Sequence, residues 1–372
     1  MTAAPASFIP PTRLLLGPGP SPVDPRILEA LMRPTIGHLD PMFLKLMDEV
    51  RTMLKQVFRT QNELTFPVSG TGTAGMEACL VNLIEPGDEV VVLVQGYFGA
   101  RMADIAGRAG GKVMVKEARW GEGFEPADLE ALLKGKNVKV VGMVHAETST
   151  GHLQPVKEFS EIARKHGALI VVDAVTSTGG IPLEVDGWGI DAIYTGTQKC
   201  LGGPPGLAPI SFSPRAVEKL DKRKTKVQSW YLDMSLVRKY WGADRAYHHT
   251  APINNVYGLH ESLRIVLEEG LEARWKRHQE AHERFAKGAA ALGLEFQVKE
   301  GRRLPQLNAM KIPAGFDDKA GRKELLEKHG IEIGGGLGEL AGKIWRVGLM
   351  GYGARIEVVD QALAAFKALL KR

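Results

Sequence analysis

The stretch Ala192-Ile-Tyr-Thr-Gly-Thr-Gln-Lys-Cys-Leu-Gly-Gly-Pro-Pro-Gly206 decides how this chain is read. An apolar run ends in Gly-Thr-Gln-Lys, and glycines and prolines follow at once. Lys199 is thereby set where a strand gives way to a tight turn, at the mouth of a cleft. A strand-end lysine ordinarily snorkels to solvent. A desolvated one sheds its proton more easily and forms a Schiff base with an aldehyde. The rest of the chain decides between the two.

Working outward, apolar runs alternate with helical patterns. Strands are expected at Leu64–Val68, Glu89–Val94, Lys112–Val115, Val138–Val144, Ala168–Asp173, Ala192–Thr195 and Leu207–Phe212. Helices are expected at Pro25–Met32, Pro41–Phe58, Ala74–Ile84, Gly99–Ala109, Pro126–Leu133 and Val156–His166. Such alternation predicts an α/β fold with a mainly parallel sheet flanked by helices. In these sheets the ligand crevice lies beyond the carboxyl ends of the strands. Gly258–Leu292 reads as one long helix or a pair. After it come short strands at Glu295–Val298, Ala309–Ile312, Ile331–Ile333 and Ile344–Leu349, with helices at Lys319–His329 and Arg355–Leu370. That is a smaller α+β unit of ordinary domain size. The division expected is an amino-terminal segment 1–13, a large domain 14–268 and a small domain 269–372.

Composition narrows the function. The 372 residues suit a large domain plus a smaller one, and the hydrophobic share of 44% is that of a globular protein. No apolar run reaches the roughly 18 residues of a membrane helix, and the amino terminus carries no secretory pattern. Two cysteines, Cys79 and Cys200, offer neither a disulfide framework nor metal spacing, which fits a reducing cytoplasm. The net charge of +5 is modest. The basic run Lys222-Arg-Lys-Thr-Lys226 has no aromatic interleaving, so nucleic acid is not an expected partner.

Three features converge. Ser69-Gly-Thr-Gly-Thr73 opens a helix, and its amides, hydroxyls and helix dipole form an anion site. No Gly-Lys-Ser/Thr follows, so it is not a nucleotide P-loop. Asp173 ends an apolar strand, where a carboxylate is costly unless a cation pairs with it or it caps the next turn. Lys199 ends a later strand. A phosphate cradle, a buried acid and a strand-end lysine meet the needs of pyridoxal phosphate: phosphate binding, ring-nitrogen protonation and a Schiff base. Tyr97-Phe98, after the Glu89–Val94 strand, offers an aromatic ring to stack on the pyridine.

With these residues in view, the sequence closely resembles the class V pyridoxal-phosphate aminotransferases, in particular the alanine–glyoxylate, serine–pyruvate and serine–glyoxylate group. The resemblance runs from Leu14-Leu-Leu-Gly-Pro-Gly-Pro-Ser21 to the last helix. Its motifs are Ser69–Thr73, Glu147-Thr-Ser-Thr-Gly151, Asp173-Ala-Val175, Gln198-Lys199, Ser211-Phe-Ser213, Tyr247-His-His-Thr250 and Lys343-Ile-Trp-Arg-Val-Gly-Leu349.

The resemblance implies the fold type I of pyridoxal-phosphate enzymes, with a seven-stranded sheet, and a set of roles. Lys199 would be the Schiff-base lysine and Asp173 the partner of the ring nitrogen. Thr71, Gly72, Thr73 and Gln198 would hold the phosphate. Val175 and Phe98 would cover the two ring faces. The family often has Trp at the position of Phe98. Thr148 would sit near the ring hydroxyl, where the family often has Ser. Tyr247 and Thr250 would reach the phosphate of a second subunit, making a homodimer with shared sites. Arg346 would clamp the substrate carboxylate.

The reaction implied is ping-pong amino transfer from alanine or serine to glyoxylate or pyruvate. No second arginine stands out for a distal carboxylate. Rival readings are a class V enzyme for an aspartate- or phosphonate-type donor, a lyase or desulfurase, and a non-catalytic accessory subunit. A desulfurase needs a mobile nucleophilic cysteine. Neither Cys79, in an expected helix, nor Cys200, in the turn, offers one.

Overall fold

The chain carries the seven expected strands into one sheet. The structure, a computed structural model, describes residues 4–371. In chain order the strands are Leu64–Ser69 (β1), Glu89–Val94 (β2), Lys112–Glu117 (β3), Val138–Val144 (β4), Leu169–Asp173 (β5), Ala192–Tyr194 (β6) and Leu207–Phe212 (β7). Their spatial order is β1-β7-β6-β5-β4-β2-β3, with β7 antiparallel to both neighbours and the other pairs parallel. Every residue of β5, β6 and β7 is buried. Strands covered on both faces need continuous apolar side chains, which is why they read as runs and not as alternations.

The sheet lies in a large apolar core that spans Phe43 to Leu271. A second core gathers Leu16 with Ala281, Phe285, Met310, Trp345, Val347 and Phe366, among others. It sits on a three-stranded antiparallel sheet in which Ile344–Gly348 pairs with Leu307–Lys311 and Gly334–Gly335. Helices Leu271–Ala291, Asp318–His329 and Ile356–Leu370 belong with it. Gly270, with a φ of 82°, breaks the long helical region into Ile253–Glu269 and Leu271–Ala291. Glycine takes this left-handed conformation without penalty.

Some sequence expectations shift. Glu295–Val298 is not a strand: it makes one isolated bridge, Phe296 to Met310. Ile331–Glu332 pairs in parallel with Leu14–Leu15 and not with the three-stranded sheet, so the chain's first strand attaches to the second core. Helices Pro214–Asp221 and Met234–Trp241 were not foreseen. Each opens on a side-chain cap, Ser213 to the Ala216 amide and Asp233 to the Ser235 amide. Among the described residues no helix is long and apolar enough to cross a membrane.

Candidate active site

The parallel strands deliver their ends to one edge. Asp173 is the last residue of β5, Tyr194 the last of β6, and the two are register partners. Ser69 ends β1, and the helix Gly72–Leu83 starts three residues beyond it. Gln198 and Lys199 follow β6 in the turn. A cavity of about 120 Å³ lies at this edge. Its lining includes Thr71, Gly72, Thr73, Phe98, Thr148, Asp173, Val175, Gln198 and Lys199, nine of the positions implied by the resemblance.

Asp173 is 3% exposed. Its Oδ1 accepts from the Val175 amide at 2.9 Å and its Oδ2 from the Tyr194 hydroxyl at 2.8 Å. The capping role and the buried-acid role therefore coexist in one carboxylate. No described cation forms an ion pair with it. Burial raises it from the ordinary carboxylate value to about 6, with the Val175 and Tyr194 hydrogen bonds opposing.

Lys199 is 7% exposed, and its ammonium donates to the Pro18 carbonyl. Burial brings it down to about 8, with the Arg346 charge pushing the same way. The amine is thus far readier to lose its proton than a surface lysine. Two contacts fix the surrounding backbone: Ser21 Oγ donates to the Lys199 carbonyl at 2.8 Å, and the Ser21 amide to the Gln198 carbonyl at 3.0 Å.

The cradle is open to an anion. Thr71 caps the helix Gly72–Leu83 without a side-chain hydrogen bond, so the first-turn amides have no side-chain acceptor. A Cβ on Gly72 would lie 3.1 Å from Val175 Cγ2, which explains a glycine at this close approach. Gln198 Oε1 is buried without a hydrogen-bond partner. The Ala74 amide already donates to the Thr71 carbonyl at 2.7 Å, but those of Gly72 and Thr73 have no described acceptor. Those two amides, a buried acid without an ion pair and a depressed lysine fit a group bearing a phosphate, a basic ring nitrogen and an aldehyde.

Glu147, fully buried, anchors the next wall. It accepts from the Phe98 and Gly99 amides at 3.4 and 3.3 Å, at the start of the helix Tyr97–Arg108. Burial raises its value, and hydrogen bonds from Ser149, Phe98 and Gly99 oppose. Thr148 Oγ1 lies 2.5 Å from Thr176 Oγ1, and the Thr148 carbonyl accepts from Arg346 Nη1 at 3.1 Å.

Three implied residues stand outside the cavity lining. Arg346 is 5% exposed, with Nε on the Gly335 carbonyl at 2.8 Å. Its Nη2 has no described partner. Burial lowers it to about 10, opposed by the charge of Glu147. Tyr247, 63% exposed, packs against the His38 ring, and Thr250 is also exposed. Neither lines this chain's own cavity.

The sequence reading missed Tyr194 and Arg101. Tyr194 becomes visible only once β5 and β6 are known to be neighbours. Arg101 stands three residues after Phe98 on one helix, a spacing that places both on the same face. It lines the cavity with its Nη1 on Thr73 Oγ1 at 2.8 Å.

Residues 20–348 match the Aminotransferase class-V family. The chain belongs to this family. It is a pyridoxal-phosphate-dependent aminotransferase. The crystal structure of alanine–glyoxylate aminotransferase from Nostoc sp. superposes with a TM-score of 0.97 at 49% identity, covering 100% of this chain and 98% of that one. The (S)-ureidoglycine–glyoxylate transaminase of Bacillus subtilis is 40% identical over 97% of this chain and 91% of its own length. The alanine–glyoxylate aminotransferase of Drosophila melanogaster is 42% identical over 95% and 91%.

Proposed function

We propose that this aminotransferase moves the amino group of a small amino acid, alanine or serine, to glyoxylate or pyruvate in a ping-pong cycle. The observation that carries the reading is the presence, in one cavity beside the Thr71–Thr73 turn, of a buried lysine and a buried acid that forms no ion pair. The names of the similar proteins from Nostoc, Bacillus and Drosophila, all glyoxylate transaminases, support the acceptor.

Bound pyridoxal phosphate supplies an aldehyde and an electron-withdrawing ring. The protein supplies the rest. Lys199 provides the amine that holds the aldehyde and afterwards the base that carries a proton from the substrate α-carbon. Asp173 keeps the ring nitrogen protonated, and the Tyr194 hydroxyl and Val175 amide hold that carboxylate in place. Thr71, Gly72, Thr73 and Gln198 bind the phosphate. Val175 and Phe98 would confine the ring, and Thr148 would be available to its hydroxyl. Arg346, with Nη2 uncommitted, receives the substrate carboxylate.

We also infer a homodimer in which Tyr247 and Thr250 serve the partner's phosphate. Their exposure in the single chain, outside the lining of its own cavity, supports this. For the division into a segment 1–13, of which residues 1–3 lie outside those described, and domains 14–268 and 269–372, the two apolar cores support the boundary near residue 269, while Leu14–Leu16 join the second core and not the first. Two unpaired, buried cysteines support a cytoplasmic setting. The same burial pushes the Cys200 thiol up to about 12, which disfavours a desulfurase.

A steady-state panel of alanine, serine, aspartate, an aminophosphonate and (S)-ureidoglycine against glyoxylate and pyruvate tests the substrate assignment. Alanine or serine with glyoxylate should give the highest kcat/KM; a dominant aspartate or ureidoglycine rate replaces the donor proposed. Mixing Lys199→Ala with Tyr247→Ala subunits should restore some activity, and an inert mixture argues against shared sites.

A further inference from the structure

One cation at the site has no assigned task. Arg101 lines the cavity of Lys199 and Asp173 and forms no ion pair with any described carboxylate. Its guanidinium lies 4.9 Å from the Phe98 ring centroid and 5.3 Å from that of Tyr97. These two rings and the Glu147 cap on their helix hold it in one place. Its hydrogen bond ends on Thr73 Oγ1, in the first turn of the helix Gly72–Leu83.

That bond has a direction. Arginine only donates, so Thr73 Oγ1 must accept. A threonine hydroxyl has a single proton, and a lone pair occupied by Arg101 turns that proton away from the guanidinium. The structure places no described acceptor on it. The Thr73 hydroxyl is left as a donor beside the Gly72 and Thr73 amides, for which no described acceptor exists, and an unneutralised positive charge stands behind it.

We propose that Arg101 positions Thr73 for the phosphate of the cofactor and supplies the charge that balances it. The proposal rests on the assignment of the Thr71–Thr73 cradle to the phosphate. It places Arg101 on the cofactor side of the site, and so leaves the substrate carboxylate to Arg346. It also makes one side chain brace both the phosphate cradle and the Phe98 ring.

The test uses the apo-enzyme with two ligands, pyridoxal phosphate and pyridoxal, which share the aldehyde and ring but differ in the phosphate. Dissociation constants are read by equilibrium dialysis. Arg101→Gln should weaken pyridoxal phosphate by about 10–100-fold, the range of a charge-assisted hydrogen bond, and pyridoxal by less than about threefold. Arg101→Lys keeps the charge without the fork and should lose about 3–10-fold on pyridoxal phosphate. Inorganic phosphate should raise the melting temperature of the apo wild type and not of Arg101→Gln. Combined with Thr73→Ala, the Gln substitution should cost less than the sum of the two alone.

Equal weakening of both aldehydes would reduce Arg101 to a support for Phe98 and overturn the proposal. So would unchanged cofactor binding with a raised KM for amino donors, which would make Arg101 a substrate residue. Should Arg101→Gln not fold, Arg101→Lys decides on the same ratio. A wild type that binds pyridoxal as tightly as pyridoxal phosphate would instead remove the cradle assignment, a separate and recognisable failure.

Discussion

The two edges of the large sheet each bury an aspartate, and they treat it in opposite ways. At the amino edge Asp191, 1% exposed, accepts from Arg215 Nη1 at 2.9 Å, from Ser213 Oγ at 2.9 Å and from the Ile170 amide at 3.1 Å. At the carboxyl edge Asp173 has an amide and a phenol but no ion pair. Burial raises both, yet only Asp191 has an arginine to oppose the rise. The first acid is complete within the chain and serves the fold. The second has no ion-pair partner, only the weaker opposing charge of Lys199, and a ligand that brings a cation would complete it.

Four measurements break or sharpen this contrast. The largest effect belongs to Lys199→Ala. Borohydride should trap pyridoxal phosphate on the wild type and not on this variant, and amino transfer should fall by about 10²–10⁴-fold. A persisting covalent adduct would assign the aldehyde to another lysine.

Next comes the exchange of the two acids. Asp191→Ala leaves Arg215 and the Ile170 amide without their acceptor and should cost about 3 kcal/mol of unfolding free energy. Asp173→Asn should leave the apo-enzyme at pH 7 as stable as the wild type or more so, while impairing turnover. Equal destabilisation by both would erase the distinction.

The pH dependence follows from the direction of the Asp173 shift. Its folded value of about 6 lies above the ordinary 3.8, so the folded apo-enzyme holds the extra proton. This contribution to stability is full below about pH 4 and is lost as the pH rises through about 6. Urea melts of apo wild type should lose up to about 3 kcal/mol relative to Asp173→Asn between pH 4 and 7. Saturating cofactor should flatten the difference, and parallel curves in the apo form would contradict an unpaired acid.

The smallest effect is on the lysine. The rate at which the apo-enzyme captures pyridoxal phosphate should rise with pH around a midpoint near 8. Because Arg346 helps depress Lys199, Arg346→Ala should move that midpoint up by less than about one pH unit, besides raising KM for amino donors. A midpoint that stays put would mean that burial alone sets the amine.

The sequence disclosed what ends an apolar run. Asp173 and Lys199 stood out because charge at a buried strand end demands a reason, and the Ser69–Thr73 turn because glycines precede a helix. Tyr194 stayed hidden since its partnership with Asp173 crosses between strands 21 residues apart. Arg101 was within reach of a helical-face argument from Phe98 but was not drawn from it. The caps Ser213 and Asp233 carried a signal for two helices that the apolar pattern did not suggest. Phe296 fits a strand by composition, yet its segment exchanges too few ladder bonds with Leu307–Lys311 to become one. Tyr247 and Thr250 came from the resemblance alone, because no property of a single chain marks a residue that serves another.

The carbonyl that holds the Lys199 amine comes from Pro18, three residues after the strand Leu14–Leu15 that pairs with Ile331–Glu332. Leu16 lies in the second core, and its carbonyl accepts from the Gly348 amide at 2.8 Å, two residues from Arg346. Trimming or fusing at the amino terminus is therefore an edit to the reactive amine. A deletion carried past Leu14 would unseat the latch over Lys199, although hardly any residue in the chain is farther from it in sequence.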